Sequence, residues 1–486
     1  MSKQTDSLNA NRRRFLQLAG GSTVALAASG FIPKPLRGLL NPMSVAEAAA
    51  ANQPADLSWV GTDGWISLPT GPGDASLAPY FPDNYAPTPF NAYIFGFRNV
   101  TGMTSTNVLN QKMKAQATAP LFWLDEYDPR PGFGYDFAME LSNLGLQIRP
   151  DLTDAHTLHW HGFRNVIPYF DGEPVGSVSV PPSRTFRYIY RPRDPGTYMY
   201  HCHVEDVEHV HMGMTGMVFV RPLQNKGSAD PGFQSKYPGV TGIPAGKYAY
   251  NDLVAPNTTG STAYDREFTI LLTEFWAFAH WCDSHIQLPD WTDYRSDFGL
   301  INGRAYPDTL APNAVFDLPD PTSADPYIKS PNAVAYRRQA NGEPLIQAGY
   351  EHLQYQPLSS LIECNPGERV LIRFVNLGFT KASMTLPGIK MRVVGKDATP
   401  MKGRDGTDTS YETNTINFGA GEAVDAIFTA PGLSAGATVD TYPLYNREYE
   451  VANNRADSGH GGQRTEVRVI AAPLATQTVP NQLFSV

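Results

Sequence analysis

The chain has 486 residues, room for more than one domain at about 100–200 residues each. Only 17% of residues are charged while Gly (42) and Pro (41) are both frequent, a balance that suits a loop-rich, all-β protein better than a helical one. The formal net charge is −9, and setting residues 1–48 aside leaves 32 Lys and Arg against 45 Asp and Glu, which argues against nucleic acid or an anionic membrane as partner.

In chain order, residues 1–48 read as an address. Asn11-Arg12-Arg13-Arg14-Phe15-Leu16-Gln17 resembles the twin-arginine export signal, with Arg12 and Arg13 as the pair. A mildly apolar stretch from Phe15 to Ile32 follows, and Ala46-Glu47-Ala48 offers a small-residue cleavage site. The plainer reading is a basic tail. The signal implies a periplasmic or extracellular protein that crosses the membrane already folded. Beyond this region no apolar run approaches the roughly 20 residues of a membrane-spanning helix.

Residues 57–222 read as one β-rich unit, with strands at Thr185–Arg191 and Met217–Val220. Asp194-Pro195-Gly196 is a turn that launches a strand over Thr197–His203. Gly, Pro, Ser and Asn dominate 223–265, a linker or long connection. A second β-rich unit covers 266–472, with strands at Phe268–Thr273, Val370–Val375 and Val467–Ile470, and 473–486 form a C-terminal tail. No helical periodicity of useful length and no short tandem repeat interrupts this pattern. The expected fold class is all-β, two Greek-key β-sandwiches.

Three cysteines are too few for a disulfide framework: Cys282 and Cys364 are either bridged or buried thiols. Cys202 stands apart, because histidines flank it. Of eleven histidines, seven fall between 156 and 211, as His156-x-x-His159-x-His161 and as His201-Cys202-His203 followed by His209 and His211. With Met212 and Met214 nearby, the side chains for a blue-copper site are present: two imidazoles, a thiolate and a weak axial thioether. Strand parity sorts them. His201 and His203 point one way and Cys202 the other, while His159 and His161 share a face that His156 does not. Cys202 and His156 can thus face one metal and four histidines another. From the residues alone, His209 competes with His211 and Met214 with Met212 for the remaining places. Zinc is disfavoured by the lack of paired cysteines.

These motifs resemble those of the multicopper oxidases, whose domains are cupredoxin β-sandwiches. The resemblance implies a type 1 copper held by His156, Cys202, His209 and Met214, as in two-domain members with the blue copper in the first domain. It implies a type 2 ligand in His159 and type 3 ligands in His161, His201 and His203. Phe268–Trp276, Ile301–Pro307 and Val370–Gly378 are similar to family strands and turns. A complete trinuclear cluster, however, takes eight histidines. The places for the second four read Lys381-Ala382-Ser383-Met384-Thr385-Leu386 and Tyr442-Pro443-Leu444-Tyr445-Asn446, with none. His460 is the first candidate to reach the site from elsewhere, with an exposed loop residue as the plainer reading. His211, His280, His285 and His352 have no assigned role.

The expected function is therefore a copper-dependent, laccase-like oxidoreductase that passes single electrons from a donor to a second, incomplete copper site for oxygen reduction. The donor is a small molecule, a metal ion or a redox protein, with dioxygen as acceptor. The alternatives are an exported blue-copper carrier without turnover and a copper nitrite reductase-like enzyme, although His203 beside Cys202 is not the nitrite reductase pattern. Glu205, Asp206 and Glu208 lie near the ligands and receive no role. Two-domain relatives are commonly homotrimers.

Overall fold

The computed structural model describes residues 55–70, 79–320, 322–325, 332–455 and 459–484; the expected export leader lies outside the described residues. The chain between Leu57 and Arg221 builds eight strands in two four-stranded sheets. One has the order β2 (Ala92–Asn99), β1 (Leu57–Ile66), β4 (Phe137–Asn143), β6 (Thr185–Tyr190). The other runs β3 (Phe122–Asp125), β8 (Thr215–Arg221), β7 (Gly196–His201), β5 (His159–His161). In β6 the alternation is plain: Tyr188 and Tyr190 are buried while their neighbours are partly exposed, the period-two pattern of a strand with one covered face. The inward faces meet in an aromatic core that includes Trp59, Tyr93, Phe95, Phe122, Trp160 and Tyr200. A short helix, α1 (Ser105–Leu109), connects β2 to β3 with Thr104 as its cap, its side chain accepting from the Asn107 amide.

The second sandwich repeats the plan. Its larger sheet runs β10 (Phe298–Ile301), β9 (Arg266–Phe275), β14 (Arg369–Asn376), β20 (Ala423–Thr429), β16 (Met391–Lys396), with β17 (Thr399–Pro400) and β18 (Tyr411–Thr413) both on β16. Its partner runs β13 (Ile362–Cys364), β22 (Arg464–Ile470), β21 (Val439–Asn446), β15 (Ala382–Thr385), β19 (Thr415–Phe418). A ribbon of β11 (Phe316–Asp317) and β12 (Ala335–Tyr336) lies in the connection between β10 and β13. The correspondence is in the pairings. Parallel β1 and β4 match parallel β9 and β14, and parallel β3 and β8 match parallel β13 and β22. By this match β15 and β21 occupy the places that β5 and β7 hold in the first sandwich.

Three features depart from the sequence expectation. Strand β7 stops at His201 rather than continuing to His203. The connection after β8 is an ordered stretch with helix α3 (Pro231–Lys236) and its own apolar cluster of Leu223, Phe233, Ile243, Tyr248 and Ala263. Two further helices, α2 (Asp206–Met212) and α4 (Ala277–Ser284), were too short for periodicity to reveal. Cys282 and Cys364 are free, buried thiols.

The sandwiches pack face to face through two apolar clusters, one joining Ile66 and Ile94 to Phe275 and Phe298, the other joining Trp123 and Phe219 to Leu271 and Val375. A buried charge network crosses the same boundary. Arg373, 0% exposed, donates to Glu267 at 2.7 Å and to Thr197 Oγ1 at 3.0 Å, and lies 3.4 Å from Asp425. Arg221 reaches Glu267 at 3.2 Å, and the Tyr250 hydroxyl donates to Asp425 at 2.6 Å. Among the described residues no helix is long and apolar enough to cross a membrane.

Candidate metal centre

The histidine-rich segments converge at one end of the first sandwich and separate into two groups. In the first, ligand atoms of His156, Cys202 and His209 all lie within 4.8 Å of one another. His156 is held by a two-way backbone bridge to Val180, at 3.0 and 2.8 Å. Its ring needs a glycine opposite: a Cβ on Gly61 would sit 2.7 Å from the His156 Cδ2. His209 comes from α2, not from a loop, and its Nδ1 lies 3.3 Å from the Cys202 Sγ. Met214 follows the helix at once. Its amide donates to the His209 carbonyl at 2.9 Å and its carbonyl accepts from the Cys202 amide at 3.1 Å, so the backbone fixes Met214 between both. All four residues are 0% exposed.

Of the competing choices, His211 is set apart by geometry. His211 is two residues past His209 and so about 200° round the helix. It faces the second sandwich, where its Nε2 accepts from the Trp276 amide at 3.0 Å. Met212 and Met214 are both buried in the core of the first sandwich, and Met214 differs in its backbone hydrogen bonds to Cys202 and His209.

The donor chemistry fits copper. Burial alone disfavours a thiolate, but the charge of His209, its ring contact with the sulfur and the nearby His156 ring outweigh it and hold the Cys202 thiol well below its ordinary range. Burial likewise opposes a charged His209, yet Cys202 and Asp154 push its imidazole up to about 10. Asp154 stands 3.5 Å from the His209 Nε2. Both ring nitrogens of His156 are buried without a hydrogen-bond partner, which costs free energy unless something else binds them. A ready thiolate between two imidazoles, with Met214 tied by its backbone to Cys202 and His209, is a soft donor set.

The second group lies on the other face. His159 pairs with His201 across β5 and β7, and ligand atoms of His159, His161 and His201 lie within 4.8 Å of one another. The His203 ring is 4.9 Å from that of His159 and 5.6 Å from that of His201. Although β7 has ended, the alternation persists, with Cys202 in the core and its two neighbours on the histidine face. Three contacts set the rings. His159 Nδ1 meets the Asp171 carbonyl at 2.8 Å, His201 Nδ1 meets the Cys202 carbonyl at 2.8 Å, and the His203 amide donates to the buried Thr157 Oγ1 at 2.9 Å. Anchoring Nδ1 in this way leaves Nε2 of His159 free for a ligand and turns Nε2 of His201 toward His161 Nδ1, 3.4 Å away. Burial lowers all three imidazoles of the tight group, His201 to about 3, so they are neutral and competent to bind metal.

Among the described residues the second sandwich contributes no imidazole here. At the β5 and β7 positions it pairs Met384 with Asn446 and Thr385 with Tyr445. Instead the β19–β20 turn closes on the group: Gly421, at φ +76°, is so near that a Cβ would lie 3.5 Å from the His161 Cε1. Gly61, Thr157, Asp171 and Gly421 were beyond sequence reasoning, since only the folded chain brings them to the histidines.

The remaining histidines stand apart. His280 is buried with Nδ1 2.6 Å from the Tyr93 carbonyl, His285 is stacked between Tyr85 and Trp281, and His352 lies 3.5 Å from Asp308. His460 is exposed and belongs to neither group among the described residues.

Two sequence profiles described as multicopper oxidase match the chain, over residues 138–225 and 266–469, together more than half of it. Copper resistance protein A of Escherichia coli is 22% identical over 277 residues, 53% of this chain and 36% of that protein. Laccase-like multicopper oxidase 1 of Thermothelomyces thermophilus is 36% identical over 64 residues, 12% of this chain and 10% of that protein. The chain thus spans about a third or less of these curated relatives. Among solved structures, the multicopper oxidase mgLAC superposes with a TM-score of 0.50 at 17% identity, covering 86% of this chain and 87% of that one, a likeness of fold.

Proposed function

The chain belongs to the multicopper oxidase family, and from that premise we propose that it is a copper-dependent oxidoreductase with two metal sites inside its first sandwich. His156, Cys202, His209 and Met214 would hold the blue copper, and His159, His161, His201 and His203 the second site. Copper, when bound, supplies a one-electron acceptor at the first site and a redox-active Lewis acid at the second. The observation that carries the reading is the separation of Cys202 from His201 and His203 onto opposite faces, so that neighbouring residues serve two metals through a few covalent bonds.

The protein's own groups do the rest. The Cys202 thiolate and the unpartnered His156 ring form a dry, preorganised pocket whose ligands need little rearrangement. His201 links the sites a second way, through its 2.8 Å contact with the Cys202 carbonyl. Asp171 and Thr157 fix the second group, and the Gly421 turn covers it. With Met384, Thr385, Tyr445 and Asn446 where a second set of imidazoles would be, the four histidines of the first sandwich suit a single copper rather than a trinuclear cluster. Dioxygen is the proposed acceptor and a small reducing molecule the donor.

Copper content of the purified protein, with its visible and paramagnetic-resonance spectra, tests this. Two coppers per chain, a thiolate-to-copper band near roughly 600 nm that Cys202→Ser abolishes, and oxygen uptake are expected. One copper and no uptake would favour an electron carrier, and a visible band untouched by Cys202→Ser would refute the ligand assignment. Light scattering on the same sample tests a homotrimer. Export by the twin-arginine route to the periplasm or beyond belongs to the same reading, and replacing Arg12 and Arg13 together by Lys should retain the protein in the cytoplasm.

A further inference from the structure

Because all four proposed blue-copper ligands are 0% exposed, a donor in solution has no ligand edge to touch. Helix α2 provides a way out. It carries His209 inward and His211 outward, and the His211 ring is surrounded by Trp291 at 5.4 Å, Tyr294 at 5.5 Å and Phe379 at 5.5 Å. Trp276 packs 5.7 Å from both Trp291 and Tyr294. The nest reaches solvent: Phe379 is 40% exposed, and Trp291 and Tyr294 are half-buried.

Within it lies a costly arrangement. The Tyr294 hydroxyl donates to the carboxylate of Glu274, which is 4% exposed and pairs with no cation among the described residues. The second carboxylate oxygen accepts from the Thr380 amide at 2.7 Å. The backbone makes room for it, since a Cβ on Gly378 would sit 2.6 Å from that oxygen. Burying a carboxylate without a cation is a poor way to gain stability. It is, however, a fixed proton acceptor for a phenol, beside a histidine two residues from a proposed copper ligand.

We propose that Tyr294, with Glu274 as its proton acceptor, admits electrons to the copper site, an inference that rests on the ligand reading above. In the step, Tyr294 would give one electron, through His211 and His209, to the copper that Cys202 would hold, which as the cupric ion would accept it and become cuprous. The phenol O–H bond breaks and its proton passes to Glu274. The tyrosyl radical then takes one electron from an aromatic donor such as hydroquinone, and the proton returns from Glu274 to re-form the O–H bond. The oxidised donor releases its own proton to water. One electron moves in all, from donor to copper.

The test uses the copper-loaded full chain and follows bleaching of the visible band by hydroquinone in stopped flow. Tyr294→Phe should keep the band and slow bleaching by about tenfold or more. Glu274→Gln, which leaves the phenol but removes its acceptor, should slow it too, and the solvent deuterium effect of the wild type should vanish in Tyr294→Phe. In the copper-free chain, photo-oxidation followed by freezing should trap a tyrosyl resonance that Tyr294→Phe largely removes. Wild-type bleaching in both variants, or slowing by Asp154→Asn alone, overturns the proposal in favour of a path across the His209 Nε2. A wild-type chain without the band would instead overturn the ligand reading, and the copper-free radical experiment still decides the relay.

Discussion

The Gly421 turn gives the proposed second metal site its sharpest test, because it stands where an added ligand from the second sandwich would reach His161. Gly421→His would install an imidazole on the missing side. The backbone there has φ +76°, a left-handed conformation that costs an L-residue about 1–2 kcal/mol, although histidine tolerates it better than most. Four-ligand zinc sites bind with about 10–16 kcal/mol, or about 3 kcal/mol per ligand. The backbone cost is the same with and without copper and acts on folding, so the expected gain in binding is about 3 kcal/mol, on the order of a hundredfold tighter copper. Gly421→Ala is the control: it carries the same backbone cost, and its Cβ at 3.5 Å from the His161 Cε1 is in ordinary contact, so it adds strain without a ligand. In a Cys202→Ser background, which silences the first site, chelator competition would measure the affinity and paramagnetic resonance would report a further nitrogen. If the two variants bind copper equally well, Gly421 does not stand at the mouth of a metal site.

Two other outcomes follow from burial. In the copper-free chain, burial holds His201 down to about 3. An unfolded imidazole titrates near 6.5, so as pH falls from about 6.5 to 5 only the unfolded chain gains that proton, and this group costs the folded state about 2 kcal/mol. His201→Gln should remove that loss, seen as a smaller shift of the urea midpoint between the two pH values; equal shifts would refute it. At the sandwich boundary, Arg373→Met keeps the volume but leaves Asp425 without a cation in the interior and Glu267 with Arg221 alone. Urea denaturation should show about 3–5 kcal/mol of destabilisation, and a change below about 1 kcal/mol, the scale of an exposed pair, would mean the network is solvated.

The convergence of His156, Cys202 and His209 was readable because these residues are close in sequence and chemically unusual. Cys202 between two histidines, with His156 out of phase with His159 and His161, already implied two faces. Strand parity survived even though β7 ends at His201, since the next two residues keep the extended alternation. What stayed hidden is long-range or short. Helix α2 has only seven residues, too few for a 3.6-residue period to emerge, so the choice of His209 over His211 could not be made from spacing alone. The repeat of the sandwich plan is visible in the parallel pairings of β1 with β4 and β9 with β14, not in residue identities. Thr157 lies inside the histidine motif itself, yet only the fold turns its hydroxyl to the His203 amide. Gly421 is more than two hundred residues from the ring it covers.

That last contact bears on why the second half has kept its shape. A sandwich with no imidazole to offer would be expected to drift, yet this one presses a glycine turn onto His161 and lends Arg221 of the first sandwich a counter-charge in Glu267. It acts as a gasket rather than an electrode. Selection on such a part falls on fit and dryness, so its tolerated substitutions should be those that preserve the seal, whatever they do to its own surface.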